Sequence, residues 1–151
     1  MFSDRPRALA EMHRVLRPGG RVLVTSWAPP ERNTILGTKI EALRSVLPEL
    51  PRPAAPLPTQ VPETVAAELQ AGGFADVRAE LVTLPAQFDS IDSYWRKMER
   101  ADAPFVTLRK KLGDERFTEV TAKAREYLLT KLGTGPVTLQ AAAIYTSGTK
   151  A

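Results

Sequence analysis

Residues 9–27 read LAEMHRVLRPGGRVLVTSW, and the Pro-Gly-Gly at their centre constrains the fold more than any other feature of the chain. Before it, Ala8, Leu9, Met12, Val15 and Leu16 recur at helical spacing and predict one buried face. Asp4 is placed to accept a hydrogen bond from a free N–H of the first turn. Pro6 fits that turn because it has no N–H to leave unpaired. Pro18 and Gly19-Gly20 end the helix and reverse the chain, since glycine adopts positive φ without steric cost. Val22-Leu23-Val24 follows at once. An apolar run with no wet position predicts a strand covered on both faces, of the kind found in mostly parallel sheets packed between helices. A helix feeding such a strand is half of a βαβ unit, and the first strand of that unit is expected upstream of this sequence.

A chain of 151 residues is expected to form one domain. At that length it buries roughly 70% of its unfolded surface without covalent staples. It has no cysteine, which excludes disulfides and thiolate ligands and points towards a reducing compartment. The opening MFSDRPRALAEM has no apolar core of a secretory signal, and no run is long enough to cross a bilayer. A cytoplasmic protein without membrane attachment is the expectation. The net charge of +4, from 21 basic and 17 acidic residues, permits anion binding without arguing for nucleic acid. Arg5, Arg7, Arg14, Arg17 and Arg21 are not interleaved with aromatic residues and read as a solvated helix face.

Further along, Ile35, Ile40, Leu43 and Leu47 predict a second helix over 34–46. The passage PELPRPAAPLPTQVP holds six of the thirteen prolines, so 48–61 is expected to be an extended connector. A third helix is expected from about Pro62 to the Gly72-Gly73 pair, then a strand over Val77–Leu84. Helices are expected over Phe88–Arg100, about 105–112 and about 114–132, with a closing strand over Val137–Thr146.

Little of this carries obvious chemistry. With one histidine, no cysteine and no carboxylates at ligand spacing, a metal site is not expected. His13 reads as a satisfied or exposed surface histidine, Asp4 as a helix cap, and Glu11 with Arg14 as an i, i+3 surface pair. No nucleophile–histidine–acid set can be assembled. Gly133-Thr134-Gly135 is the only Gly-x-Gly, but Pro136 follows it and it reads as a turn.

The run DRPRALAEMHRVLRPGGRVLVTSW resembles the segment of class I S-adenosylmethionine-dependent methyltransferases in which a helix passes through Pro-Gly-Gly into the fifth strand. The similarity is to the small-molecule, quinone- and menaquinone-biosynthesis type, and Glu11, Arg14, Val15, Leu16, Pro18, Gly19 and Gly20 carry it. ELQAGGFADVRAELVTL resembles the family's helix–Gly-Phe–sixth strand passage, and GPVTLQAAAIYTSGTKA its seventh strand. The resemblance implies a partial Rossmann-like α/β fold. In it a small mixed sheet of the fifth, seventh and sixth strands is flanked by helices, with a helical insertion over 85–133.

It also implies that the chain is the C-terminal half of such an enzyme. The family's glycine-rich cofactor loop and its ribose-binding acidic residue have no counterpart here, so the chain alone is expected to be inactive. By position, Phe2 and Ser3 would approach the cofactor, S-adenosylmethionine, in a complete enzyme. Trp27, Tyr94 and Trp95 are the candidate substrate-binding residues. Core packing accounts for Tyr94 and Trp95 at least as well, and Trp27 stays open between the two readings. Val22–Ser26 is expected to present a bare edge, because its neighbour in the family, the fourth strand, is missing. That predicts a homodimer, a domain-swapped assembly or a separate N-terminal half as partner. A non-catalytic dimeric module for an apolar ligand is the alternative function.

Overall fold

The computed structural model describes residues 4–52 and 54–151. Helix α1 (Arg5–Val15) begins as its sequence predicts: Asp4 Oδ1 accepts from the Arg7 backbone N–H at 3.0 Å, with Pro6 in the first turn. Gly19, at φ +75°, turns the chain into β1 (Arg21–Trp27). Helix α2 (Thr34–Val46) also lies where its periodicity places it. Among its described residues the proline-rich passage has no regular structure except one 3-10 turn at Pro58–Gln60. Helix α3 (Pro62–Ala71) then leads into β2 (Phe74–Phe88). Helices α4 (Ile91–Ala101), α5 (Ala103–Leu112) and α6 (Asp114–Leu132) precede β3 (Val137–Lys150).

The three strands form one sheet in the order β1-β3-β2, which is the fifth, seventh, sixth order that the resemblance implies. β1 and β3 are antiparallel, with Val22 opposite Gly148, Val24 opposite Thr146 and Trp27 opposite Ala143. The apolar run of β1 therefore does not sit in a parallel ladder covered on both sides. One face meets helices: Val22 and Val24 pack on a cluster of Leu9, Val65, Leu69 and Phe74. The other is open, with Leu23 58% and Trp27 60% exposed. An apolar triplet on a strand does not distinguish two covered faces from one covered and one open.

Two strands are longer than predicted. β2 starts at Phe74, directly after the Gly72-Gly73 turn, and continues through Pro85 to Phe88. Proline is tolerated there because β2 is an edge strand. The helix expected from Phe88 accordingly starts at Ile91, where Ser90 Oγ accepts from the Ser93 N–H at 3.1 Å. β3 runs on to Lys150, which bonds to Gly19 and Gly20.

The contacts divide the chain into two compact units. The first comprises residues 4–33, 54–84 and 142–151, and holds α1, β1, α3 and most of β2 and β3. Arg5 grips Glu68 through two hydrogen bonds of 3.1 and 2.6 Å, joining α1 to α3. The second comprises Thr34–Arg52 and Pro85–Ala141. Its core is built from α2, α4, α5 and α6 around Leu43, Trp95, Phe105, Val120 and Leu128.

Candidate functional site

In the first unit, two hydrogen bonds fix how β1 is turned. Ala28 N–H donates to Ala142 O at 3.0 Å, and Lys150 N–H donates to Gly20 O at 2.8 Å. In an antiparallel pair every second residue exchanges both backbone bonds with its opposite. The even-numbered residues of β1 thus face β3, and Arg21, Leu23, Thr25 and Trp27 direct their N–H and C=O groups outwards. The side chains of those same four residues are the exposed ones. Opposite them on β3 stand Thr149, Ser147, Tyr145 and Ala143, all partly exposed. One sheet face of this unit therefore carries Leu23 and Trp27 in the open, with Tyr145 half-buried on the same face. Trp27 is a surface residue there.

Tyr94 and Trp95 have a different environment. Both lie within the second unit, at 0% and 1% exposure. Tyr94 packs edge-on against Phe88, and its hydroxyl donates to Ile35 O at 2.7 Å. Trp95 packs edge-on against Phe105 and gives its indole N–H to Glu99 Oε1 at 2.9 Å. Their polar ends are satisfied within the core, so packing describes both side chains as they stand. Phe2 and Ser3 lie outside the described residues.

Sequence reasoning passed over two features of the second unit. Lys39 is buried, 4% exposed, and its ammonium donates to Asp102 beneath the ring of Phe105, 5.9 Å from the centroid. Asp102 precedes α5 but makes no side-chain capping bond, its carboxylate being turned to Lys39. Burial and the nearby Asp102 charge push the Tyr94 phenol well above its ordinary range, against a weaker pull from the Lys39 backbone N–H. The second feature is a shallow cleft of about 570 Å³ beside α4, lined by Ser93, Arg96, Lys97, Arg100 and Ala101. Lys97 also lies 5.8 Å from the Phe88 ring. The only sequence signal for this basic strip is the i, i+1, i+4 spacing of its charges.

The one Gly-x-Gly follows α6 rather than a strand: Gly133, at φ +79°, ends that helix and Pro136 leads into β3. No helix opens behind these glycines to aim N–H groups at a ligand. Among the described residues no group of three histidines or carboxylates could hold a metal ion, and no helix is long and apolar enough to cross a membrane.

No family profile matches the sequence. Over 96 residues it is 33% identical to demethylmenaquinone methyltransferase of Thermus thermophilus, a match that takes in 54% of this chain and 42% of that protein. The chain thus spans about two fifths of the length of that relative. Phosphoethanolamine N-methyltransferase 2 of Haemonchus contortus, solved with phosphomonomethylethanolamine and S-adenosylhomocysteine, aligns with 97% of this chain and 30% of its own. The identity is 12% and the TM-score 0.38. A Bacillus halodurans protein assigned to the methyltransferases aligns with 99% of this chain and 59% of its own, at 17% identity and TM-score 0.43. By sequence, the chain is similar to part of a class I S-adenosylmethionine-dependent methyltransferase, the family to which its Pro-Gly-Gly, Gly-Phe and closing-strand passages point.

Proposed function

We propose that this chain is the sheet-closing, acceptor-side portion of a small-molecule methyltransferase, and that it neither binds S-adenosylmethionine nor transfers a methyl group by itself. The observation that carries this reading is the strand order β1-β3-β2 with β1 antiparallel to β3. It is what the fifth, sixth and seventh strands of the family require, and it arises in a chain whose sequence likeness is to a methyltransferase. One feature of the chain's own residues supports silence towards the cofactor. Its one Gly-x-Gly ends a helix instead of opening one.

In this reading the polypeptide that supplies the cofactor loop also supplies the strand beside β1. The acceptor's atom type is a matter of pocket shape, not of a motif in this chain. A second reading, a non-catalytic module holding an apolar ligand, draws on the exposure of Leu23 and Trp27 on one sheet face.

The deciding experiment is calorimetric titration of S-adenosylhomocysteine. The chain alone is expected to give no binding heat. A chimera joining it behind the N-terminal portion of the Thermus relative is expected to bind one equivalent. A chimera that is folded by circular dichroism yet silent in the calorimeter would sink the proposal, as would stoichiometric binding by the isolated chain.

A further inference from the structure

We propose that the cleft beside α4 binds a small molecule bearing a diphosphate group, held by Arg96, Lys97 and Arg100. The cleft lies wholly within the second unit, and the inference stands apart from the methyltransferase reading.

Ser93, Arg96, Lys97, Arg100 and Ala101 line the cleft at positions i, i+3, i+4, i+7 and i+8 of one helix. That spacing puts them on a single face. The opposite face is fixed in the core. Tyr94 and Trp95 are enclosed there, with their polar ends bonded to Ile35 O and Glu99. The cations thus stand on a rigid platform.

This face lacks negative charge. Among the described residues no carboxylate forms an ion pair with Arg96, Lys97 or Arg100. Asp92 lies one turn before Arg96 and feels its charge, but its carboxylate is bonded to Arg125 at 2.7 Å. Glu99 is taken up by the Trp95 indole. On α6, by contrast, Arg116 and Lys123 both meet Glu119. Arg96 and Arg100 stand one turn apart with Lys97 beside them, a spacing at which like charges repel. The helix dipole favours a cation in the last turn, which accounts for Arg100. It does not account for the other two.

Charge and size select the ligand. Two guanidinium forks about 6 Å apart along the helix axis take one phosphate each, through paired N–H groups. Lys97 adds a point charge between them. The Ser93 hydroxyl already donates to Ser90 O at 3.1 Å, so recognition falls to the cations. One phosphate carries roughly 1.5–2 negative charges, so a second is needed to balance three cations. The volume of about 570 Å³ falls within the roughly 300–1,000 Å³ of small-molecule sites. It leaves room for an organic group beyond the phosphates.

The test is calorimetric titration of the whole chain with inorganic pyrophosphate, orthophosphate and adenosine diphosphate, in about 0.15 M salt. Pyrophosphate is expected to bind one equivalent, ~10-fold or more tighter than orthophosphate. Adenosine diphosphate is expected to bind as tightly as pyrophosphate. Arg96→Gln is expected to weaken pyrophosphate ~10-fold, the effect of one charge-assisted contact. Arg17→Gln, the same change of charge on the first unit, is expected to leave it unaltered. Both side chains are exposed, so circular dichroism should not change. An absence of heat at millimolar pyrophosphate overturns the proposal, as does orthophosphate that binds equally well. Equal losses from Arg17→Gln and Arg96→Gln overturn it too, since net charge alone is then responsible. A weak response to adenosine diphosphate would exclude an organic ligand. Tighter binding of an oligothymidylate through the same Arg96 would replace the small molecule with a nucleic-acid backbone.

Discussion

The carboxylate of Asp102 stands at the start of a helix and turns away from it. Instead of capping α5 it meets the ammonium of Lys39, which has almost no access to water. A buried cation that loses its partner is stranded in a medium that solvates it poorly. Asp102→Ala is therefore expected to lower stability in urea by about 3 kcal/mol, whereas the double variant Lys39→Met/Asp102→Ala is expected to recover most of that loss. Equal stability of the single and double variants would show that the pair is not held in this way. Tyr94, in the same core, provides a pH signature. Its phenol is held neutral well above the ordinary tyrosine range, first by burial and then by the Asp102 charge. Above a pH of about 10 the unfolded chain gives up that proton and the folded chain keeps it. Stability is thus complete below pH 10 and declines as pH rises beyond it. Tyr94→Phe is expected to flatten that decline in an alkaline denaturation series, leaving only what other groups contribute.

At the scale of the element, β3 shows what a strand between two others must accept. Gly148 lies where a Cβ would stand 2.9 Å from Phe74 Cβ and 3.3 Å from Val77 Cγ2, so β3 approaches β2 too closely there for any side chain. Gly148→Ala is expected to cost about 1–3 kcal/mol. Two residues earlier, Thr146 is buried opposite Val24 with a hydroxyl that has no hydrogen-bond partner among the described residues. Thr146→Val keeps the shape and removes the stranded group, and is expected to stabilise the chain by about 1 kcal/mol. Thermal melts of the two variants should move in opposite directions. The elements themselves were mostly legible. Asp4, Pro6 and the Pro-Gly-Gly turn set α1 and the start of β1 because their signals act within a few residues. The length of β2 was not legible, because Pro85 discourages a strand in isolation and only a place at the sheet edge excuses it. The open face of β1 was hidden for a similar reason: Val22-Leu23-Val24 is equally apolar on both sides, and what covers each side is decided far away in sequence.

On the scale of the whole molecule, the strand order was readable only through resemblance, since it joins residues from opposite ends of the chain. Trp27 is on the surface where a contact with a ligand needs it, while Tyr94 and Trp95 are enclosed in a helical core that periodicity alone equally predicts. The Lys39–Asp102 pair gave no sign in the sequence, because 63 positions separate its members.

The register of β1 with β3 also has a meaning in time. Val22 lies opposite Gly148, so 126 residues of chain (148 minus 22) must be made before the strand meets its neighbour. At ~5–20 residues per second of synthesis, that wait is ~6–25 s. Throughout it Val22-Leu23-Val24 waits for β3, while α2 and the helices of the second unit emerge complete. Of the three strands, β1 is made first and meets β3 only when β3 itself is made, so the interval between is set by the speed of translation.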